Sequence, residues 1–211
     1  MADVDYWEEV VKNPPESYRR WFNGEKRILK ETVTKDAEVL DVCCGTGRTI
    51  SDIISITQDV TGIDCSAYAV EFARKKFKNY PSVNILIADA HNLPFGNNTF
   101  DFVICSASFN NFGEGKLRIL NEMKRVLKKG GILILSVYNE DAFDERVRAY
   151  TKIKIPIKNI MGTTVYFDKN TGYYISEQFS KEQLAAIFKA AGMKIVDMKK
   201  INIAYVCKLS K

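Results

Sequence analysis

Histidine occurs once in the 211 residues, at His91, so a histidine-based metal site or a Ser–His–Asp relay is not expected. Cysteine is limited to five residues, an odd number with no C-x-x-C spacing, which points to reduced buried thiols rather than disulfides or a zinc site. No apolar run approaches the roughly 20 residues that cross a bilayer. The opening MADVDYWEEV is acidic and aromatic rather than basic and then apolar, so it does not read as a signal peptide, and the cytoplasm is the expected location. Internal repeats, low-complexity segments and Pro- or Gly-rich linkers are also missing. A 46% hydrophobic and 27% charged composition suits one soluble globular domain with a real core. The net charge of +5 is dispersed, dense only at 124–129 and 194–200, so solvated faces are expected rather than a nucleic-acid surface.

Short apolar runs alternate with amphipathic segments through the first two thirds of the chain. The pattern predicts strands at 38–42, 59–63, 83–88, 100–106 and 132–137, with helices at 46–55, 67–79 and 116–128. In the last of these helices Leu117, Leu120, Val126 and Leu127 are expected to point inward. Near-continuous apolar strands between helices imply right-handed βαβ units and a parallel sheet covered on both faces. The fold class is therefore α/β, a Rossmann-like sheet with helices on either side. Residues 6–33 read as helix broken at Pro14 and Pro15. Residues 162–179 carry TTVYF and YYISEQF around turn residues 168–172, a hairpin pattern. Ser180 with Gln183 has capping-box spacing, and Gly192 ends the helix it starts. Strands at 194–198 and 201–208 are joined by a bend near Lys200 too short for a helical crossover, so they should be antiparallel.

The stretch VLDVCCGTGR, residues 39–48, places a glycine loop at the carboxyl end of the first strand. Ligands of open parallel sheets collect at such ends, near the point where strand order reverses. A dinucleotide fingerprint G-x-G-x-x-G fits poorly: Cys43 takes the first glycine position, Gly45 and Gly47 follow, and Ile50 stands where the third would be. Three acids explain more. Asp41, Asp64 and Asp89 each emerge where a strand stops and so share one crevice. Asp64 suits two ribose hydroxyls, Asp89 an adenine amino group, and Asp41 a positive charge near the loop. A ribose, an adenine and a cationic amine without phosphate describe S-adenosylmethionine, whose carboxylate would meet the loop N–H groups.

VLDVCCGTGR, GIDCS, ADAHNLPF, FDFVICSASFNNF and LNEMKRVLKKGGILILSV, in that order over residues 36–138, resemble the successive motifs of the class I S-adenosylmethionine-dependent methyltransferases of the methyltransferase 11 type. The resemblance implies a seven-stranded, mostly parallel sheet with an antiparallel last strand. It also implies cofactor contacts from Asp41, the loop of Cys43, Gly45, Thr46 and Gly47, then Asp64 with Cys65, Asp89 with Ala90, and Ser106. Cys43 stands where the family carries glycine. Four segments follow: a helical lid (1–35), the cofactor core (36–138), an acceptor-side insertion (139–180) and a closing helix and strand pair (181–211).

Methyl transfer from a sulfonium is an in-line displacement that needs proximity and dryness more than a dedicated nucleophile, so a missing histidine base is no objection. Tyr138 and Asn110 are the nominated catalytic candidates; Tyr18, Asn110, Asn111 and Tyr138 are the substrate candidates. Aromatics gather in the segments that depart from the generic core: Tyr6, Trp7, Tyr18, Trp21 and Phe22, then Phe109 and Phe112, then Tyr166, Tyr173 and Tyr174. SASF at 106–109 is not the N/D-P-P-Y/F tetrapeptide of base-amino methylating enzymes. A small-molecule acceptor is therefore expected. The alternatives are tRNA or protein methylation, a nicotinamide-dependent oxidoreductase, and an adenosyl-ligand binding module without catalysis.

Overall fold

The computed structural model describes residues 6–168, 171 and 175–211. Its strands are β1 (Val39–Val42), β2 (Val60–Asp64), β3 (Val83–Ile87), β4 (Phe100–Ser106), β5 (Leu127–Tyr138), β6 (Ile157–Met161), β7 (Thr164–Phe167), β8 (Ile175–Ser176), β9 (Lys194–Ile201) and β10 (Ala204–Ser210). Its helices are α1 (Tyr6–Lys12), α2 (Glu16–Thr32), α3 (Arg48–Ile53), α4 (Ala67–Lys76), α5 (Lys116–Val126), α6 (Phe143–Lys152) and α7 (Lys181–Ala190). The central sheet runs β3-β2-β1-β4-β5-β10-β9. Strands β1 to β5 are parallel, and β10 lies antiparallel between β5 and β9. The chain moves outward from β1 to β3 and then returns to β1's other side at β4. Strand order therefore reverses between β1 and β4, which opens a crevice at their carboxyl ends.

Alternation along each strand sorts the core into two layers. Val39, Phe102, Ile104, Ile134 and Val206 pack with α2, α3 and α4. Leu40, Val103, Leu133, Leu135 and Cys207 pack with α5 and α7. Asp41, Ser106 and Ser136, the buried polar residues within the described strands of this sheet, share the α2 face, as does Tyr138. Register agrees: Asp41 pairs with Ile104, and Ser106 pairs with Ser136.

The expected strand pairs and capping box are present. Ser180 Oγ accepts from the Gln183 N–H, and the Gln183 side chain accepts from the Ser180 N–H. The closing bend lies at Asn202 and Ile203 rather than at Lys200, because β9 runs three residues beyond its expected end and Asn202 adopts φ +50°. Strand β5 starts at Leu127, ahead of its apolar run, since its first residues pair with the start of β4. Leu117 is 43% exposed, in correction of its expected inward position; Ile119, Leu120, Met123 and Val126 form the buried stripe of α5. The insertion holds more structure than a hairpin. Helix α6 packs Tyr150 against Phe167 and Val165, and β6 extends the β7–β8 pair into a three-stranded sheet. Of the hairpin turn at 168–172, residues 169, 170 and 172 lie outside the described residues. No helix among the described residues is long and apolar enough to cross a membrane.

Leu135 is fully buried in the α5–α7 layer. Leu135→Ala is expected to cost about 2–5 kcal/mol of unfolding free energy by denaturant titration, and Leu117→Ala less than about 0.5.

Candidate active site

The turn after β1 is built from left-handed backbone. Cys43, Gly45 and Gly47 have φ of +59°, +52° and +78°. The first value explains why glycine is the natural residue at position 43, a side chain there costing about 1–2 kcal/mol. Above Gly45 a Cβ would meet nothing within 4 Å, so the loop backbone borders open space; a Cβ on Gly47 would strike the Phe77 ring. Several loop N–H groups are already engaged: Cys44 donates to the Ile63 carbonyl, Gly45 to Asp64 Oδ2 and Gly47 to the Cys44 carbonyl, each at 2.9 Å. Lys76 Nζ holds the carbonyls of Thr46 and Gly47 from behind, at 3.4 and 3.2 Å.

The three acids stand in three different environments. Asp41 is 1% exposed, and both of its carboxylate oxygens lack a hydrogen-bond partner. Burial drives its ionisation well above the usual carboxylate range, with Arg48 opposing. Asp64 is half-buried and accepts from the Gly45 and Ser66 N–H groups, so it fixes the loop to β2 while retaining lone pairs for another partner. Its ionisation is pushed up by burial, against those bonds. Asp89 is exposed, and its Oδ1 takes both the backbone N–H and Nδ1 of His91, bonds that hold its ionisation low. Next to it Ala90 is buried, and Leu93 and Phe95 anchor that loop, Phe95 edge-on to Phe100.

Cys43, Cys44 and Cys105 have thiols pushed up by burial, which suits packing and not nucleophilic work. Cys65 is exposed beside Asp64.

Ser106, at the end of β4, is engaged within the protein. Its hydroxyl donates to Glu25 at 2.8 Å, neighbours Ser136 Oγ at 3.2 Å and accepts from Arg48. Glu25 is fully buried on α2 and pairs with Arg48 Nη2 at 2.7 Å, while the guanidinium lies 4.4 Å from the Phe22 ring centre. Sequence reasoning passed over this pair, although Glu25 continues the stripe Tyr18, Trp21, Phe22, Ile28 and Leu29. An acid at an apolar-stripe position is the signal that could have found it.

Tyr18, Tyr138 and the adjacent pair Asn110 and Asn111, from three separate places in the chain, do converge. The Tyr18 and Tyr138 hydroxyls are 3.0 Å apart, with Trp21 packed 5.3 Å from the Tyr138 ring. Asn110, Asn111 and Tyr138 line a cavity of about 20 Å³ with Trp7, Tyr150 and Phe167. Phe109 and Phe112 lie elsewhere, packed in the α5–α7 layer with Phe179. Tyr166 is on the face of β7 opposite Val165 and Phe167 and does not line the cavity. Tyr173 and Tyr174 lie outside the described residues.

Asp41 sets a pH signature. The unfolded side chain ionises near pH 4. Above that pH the folded state holds the proton that the unfolded state has lost, so stability falls as pH rises through the elevated native value. Asp41→Asn removes this slope: denaturation without ligand should show the variant more stable than the parent at neutral pH, with the gap closing below about pH 4.

A family model described as "Methyltransferase domain" matches residues 39–131. The demethylmenaquinone methyltransferase of Staphylococcus saprophyticus is 30% identical over 195 residues, covering 87% of this chain and 81% of the relative. That of Staphylococcus aureus strain Newman is 33% identical over 190 residues, 84% of this chain and 75% of the relative. A solved S-adenosylmethionine-dependent methyltransferase from Aquifex aeolicus superposes with a TM-score of 0.69 at 20% identity, over 98% of both chains. With its glycine turn, its strand-end acids and relatives at this identity and coverage, the chain belongs to the class I S-adenosylmethionine-dependent methyltransferases.

Proposed function

We propose that this methyltransferase acts on a small-molecule acceptor held between α2, the end of β5 and the 139–180 insertion. The observation that carries this is the convergence of Trp7, Asn110, Asn111, Tyr138 and Tyr150, from α1, the turn after β4, the end of β5 and α6, around one small gap of about 20 Å³. The two curated relatives bear the name of an enzyme acting on a small molecule, in line with this reading.

The residues fit the cofactor. Asp41, a buried acid with no partner of its own, suits the ammonium group, which would return its ionisation toward normal. The backbone of Cys43, Gly45, Thr46 and Gly47 borders the open space above Gly45, where the carboxylate end would lie. Asp64, with Cys65, retains acceptor capacity for the ribose, and Asp89 with Ala90 would meet the adenine. Ser106 acts at one remove, holding Glu25 and Arg48 under the loop. When bound, S-adenosylmethionine supplies an electrophilic methyl carbon on a sulfonium. What this chain would contribute is placement and dryness: α1 and α2 would cover the crevice, and aromatic side chains would surround the acceptor. Tyr138 and Asn110, which border the gap, would orient the acceptor.

Incubation with methyl-labelled donor and separated metabolite, RNA and protein fractions tests the acceptor class. Label should enter the metabolite fraction; label confined to RNA or to protein overturns the proposal. Asp64→Ala should weaken S-adenosylhomocysteine binding in calorimetry by at least about tenfold while the circular dichroism spectrum is retained. Unchanged affinity would remove Asp64 from the site.

A further inference from the structure

Arg146 on α6 is the largest buried charge outside the cofactor crevice, with no exposed surface at all. Its Nη1 donates to the Thr163 carbonyl at 3.3 Å and to Gln178 Oε1 at 2.8 Å; its Nη2 donates to the Ser176 carbonyl at 2.6 Å and to Ser176 Oγ at 3.1 Å. Every one of these acceptors is neutral. Among the described residues no carboxylate lies within 4.0 Å of the guanidinium, and Nε has no partner. The adjacent acid, Glu145, is engaged by Ser17 and Arg148 instead. Hydrogen bonds to carbonyls hold the fork in place but leave its charge uncompensated, and a buried cation without a counterion is costly.

The guanidinium carbon lies 4.9 Å from the centre of the Tyr138 ring, which forms a wall of the acceptor cavity. The Ser176 hydroxyl that Arg146 grips is also 2.8 Å from Tyr150 Oη, on another wall. Burial raises the ionisation of Tyr18 and Tyr138 well above the phenol range, and the charge of Arg146 acts on both in the opposite sense. Trp21 Nε1, on a ring packed against Tyr138, is a second buried donor without an acceptor. The cavity shares Ile153 with an outer cleft of about 510 Å³ between α1 and α6, where Lys152 and Lys154 outnumber Glu9. The charged and titratable groups facing this region are thus Glu9 from α1, Tyr18 from α2, Tyr138 from β5, Glu145, Arg146, Tyr150 and Lys152 from α6, and Lys154 just after it.

We propose that the methyl acceptor is a weak acid bound as its oxyanion, an enolate, phenolate or carboxylate, with the buried Arg146 guanidinium beside Tyr138 as its countercharge. This rests on the small-molecule reading and specifies the substrate class. The acceptor's proton leaves to water before the cavity closes, so no base is needed inside. In transfer, an electron pair of the anion forms the bond to the methyl carbon while the carbon–sulfur pair returns to sulfur, and one negative and one positive charge vanish together. Arg146 is therefore a positioning residue that favours the bound, ionised acceptor; it gains nothing from the transition state, where that charge is fading.

The test uses the full chain with S-adenosylhomocysteine present and 4-nitrophenol as probe, whose phenolate is read in the visible. At a given pH the ratio of phenolate to phenol in the bound probe should exceed that of the free probe by about tenfold, the effect of one nearby cation. Benzoate is the carboxylate arm and 4-nitroanisole the neutral isostere. Displacement of the phenol by benzoate, with weak binding of the ether, supports an oxyanion site. Arg146→Gln should return the bound ratio to the free value, and Arg146→Lys should keep it raised; a purely structural role would alter stability without moving that ratio. Should the Gln variant not fold, the phenolate-against-ether comparison on the parent chain still decides. Binding of the ether as tight as that of the phenolate, no binding of either oxyanion, or an unchanged ratio in folded Arg146→Gln overturns the proposal. An enzyme that labels metabolites yet prefers the ether refutes the oxyanion alone, whereas label confined to RNA or protein refutes the small-molecule reading beneath it.

Discussion

Strand side chains alternate between faces, and that one constraint ties the crevice to the N-terminal helices. Asp41 is in register with Ile104 on β4 and, beyond it, Ile134 on β5; the residues two positions further along those strands, Ser106 and Ser136, and then Tyr138, point to the same α2 face. Polar groups buried on one face demand partners from whatever covers it. Helix α2 answers with Glu25 at Ser106 and Tyr18 at Tyr138. Helix α2 is thus a chemical complement to the sheet as well as an apolar cover.

Several polar groups on this face are left without partners. A close-packed protein tolerates few buried polar atoms without partners, and those of Asp41, Asn110, Trp21 and Arg146 surround the same sheet ends. The two buried charges among them have opposite signs. Asp41 disfavours its own ionisation, while Arg146 carries a permanent charge among neutral acceptors. A sulfonium donor and an anionic acceptor would satisfy both at once.

The sheet and the donor side of the site were largely legible in the sequence because each depends on local pattern. Apolar runs gave the parallel strands, the Ser180–Gln183 spacing gave α7, and acids at strand ends marked the crevice. What stayed hidden depends on contacts across the chain. Glu25 and Arg48 are 23 residues apart, and neither carries a motif. Arg146 looks like any surface arginine of an amphipathic helix until β7 and β8 fold over it. Leu117 was misplaced because the exposed start of α5 offers a helical period without a surface to pack against. Helix α6 and β6 were missed since the insertion mixes helical and strand periods over short stretches, where packing on Tyr150 and Val165 decides.

The opposite face of the sheet has a different character. Between the strands and α5–α7, Leu40, Val103, Leu133, Leu135, Leu120 and Phe188 form a layer to which the described strands contribute no buried charge. Effects of substitutions separated by a sheet's thickness tend to add independently. A more heat-resistant version of this enzyme could therefore be engineered entirely from that side, by refilling or tightening the oily layer, while the machinery on the far side is left untouched.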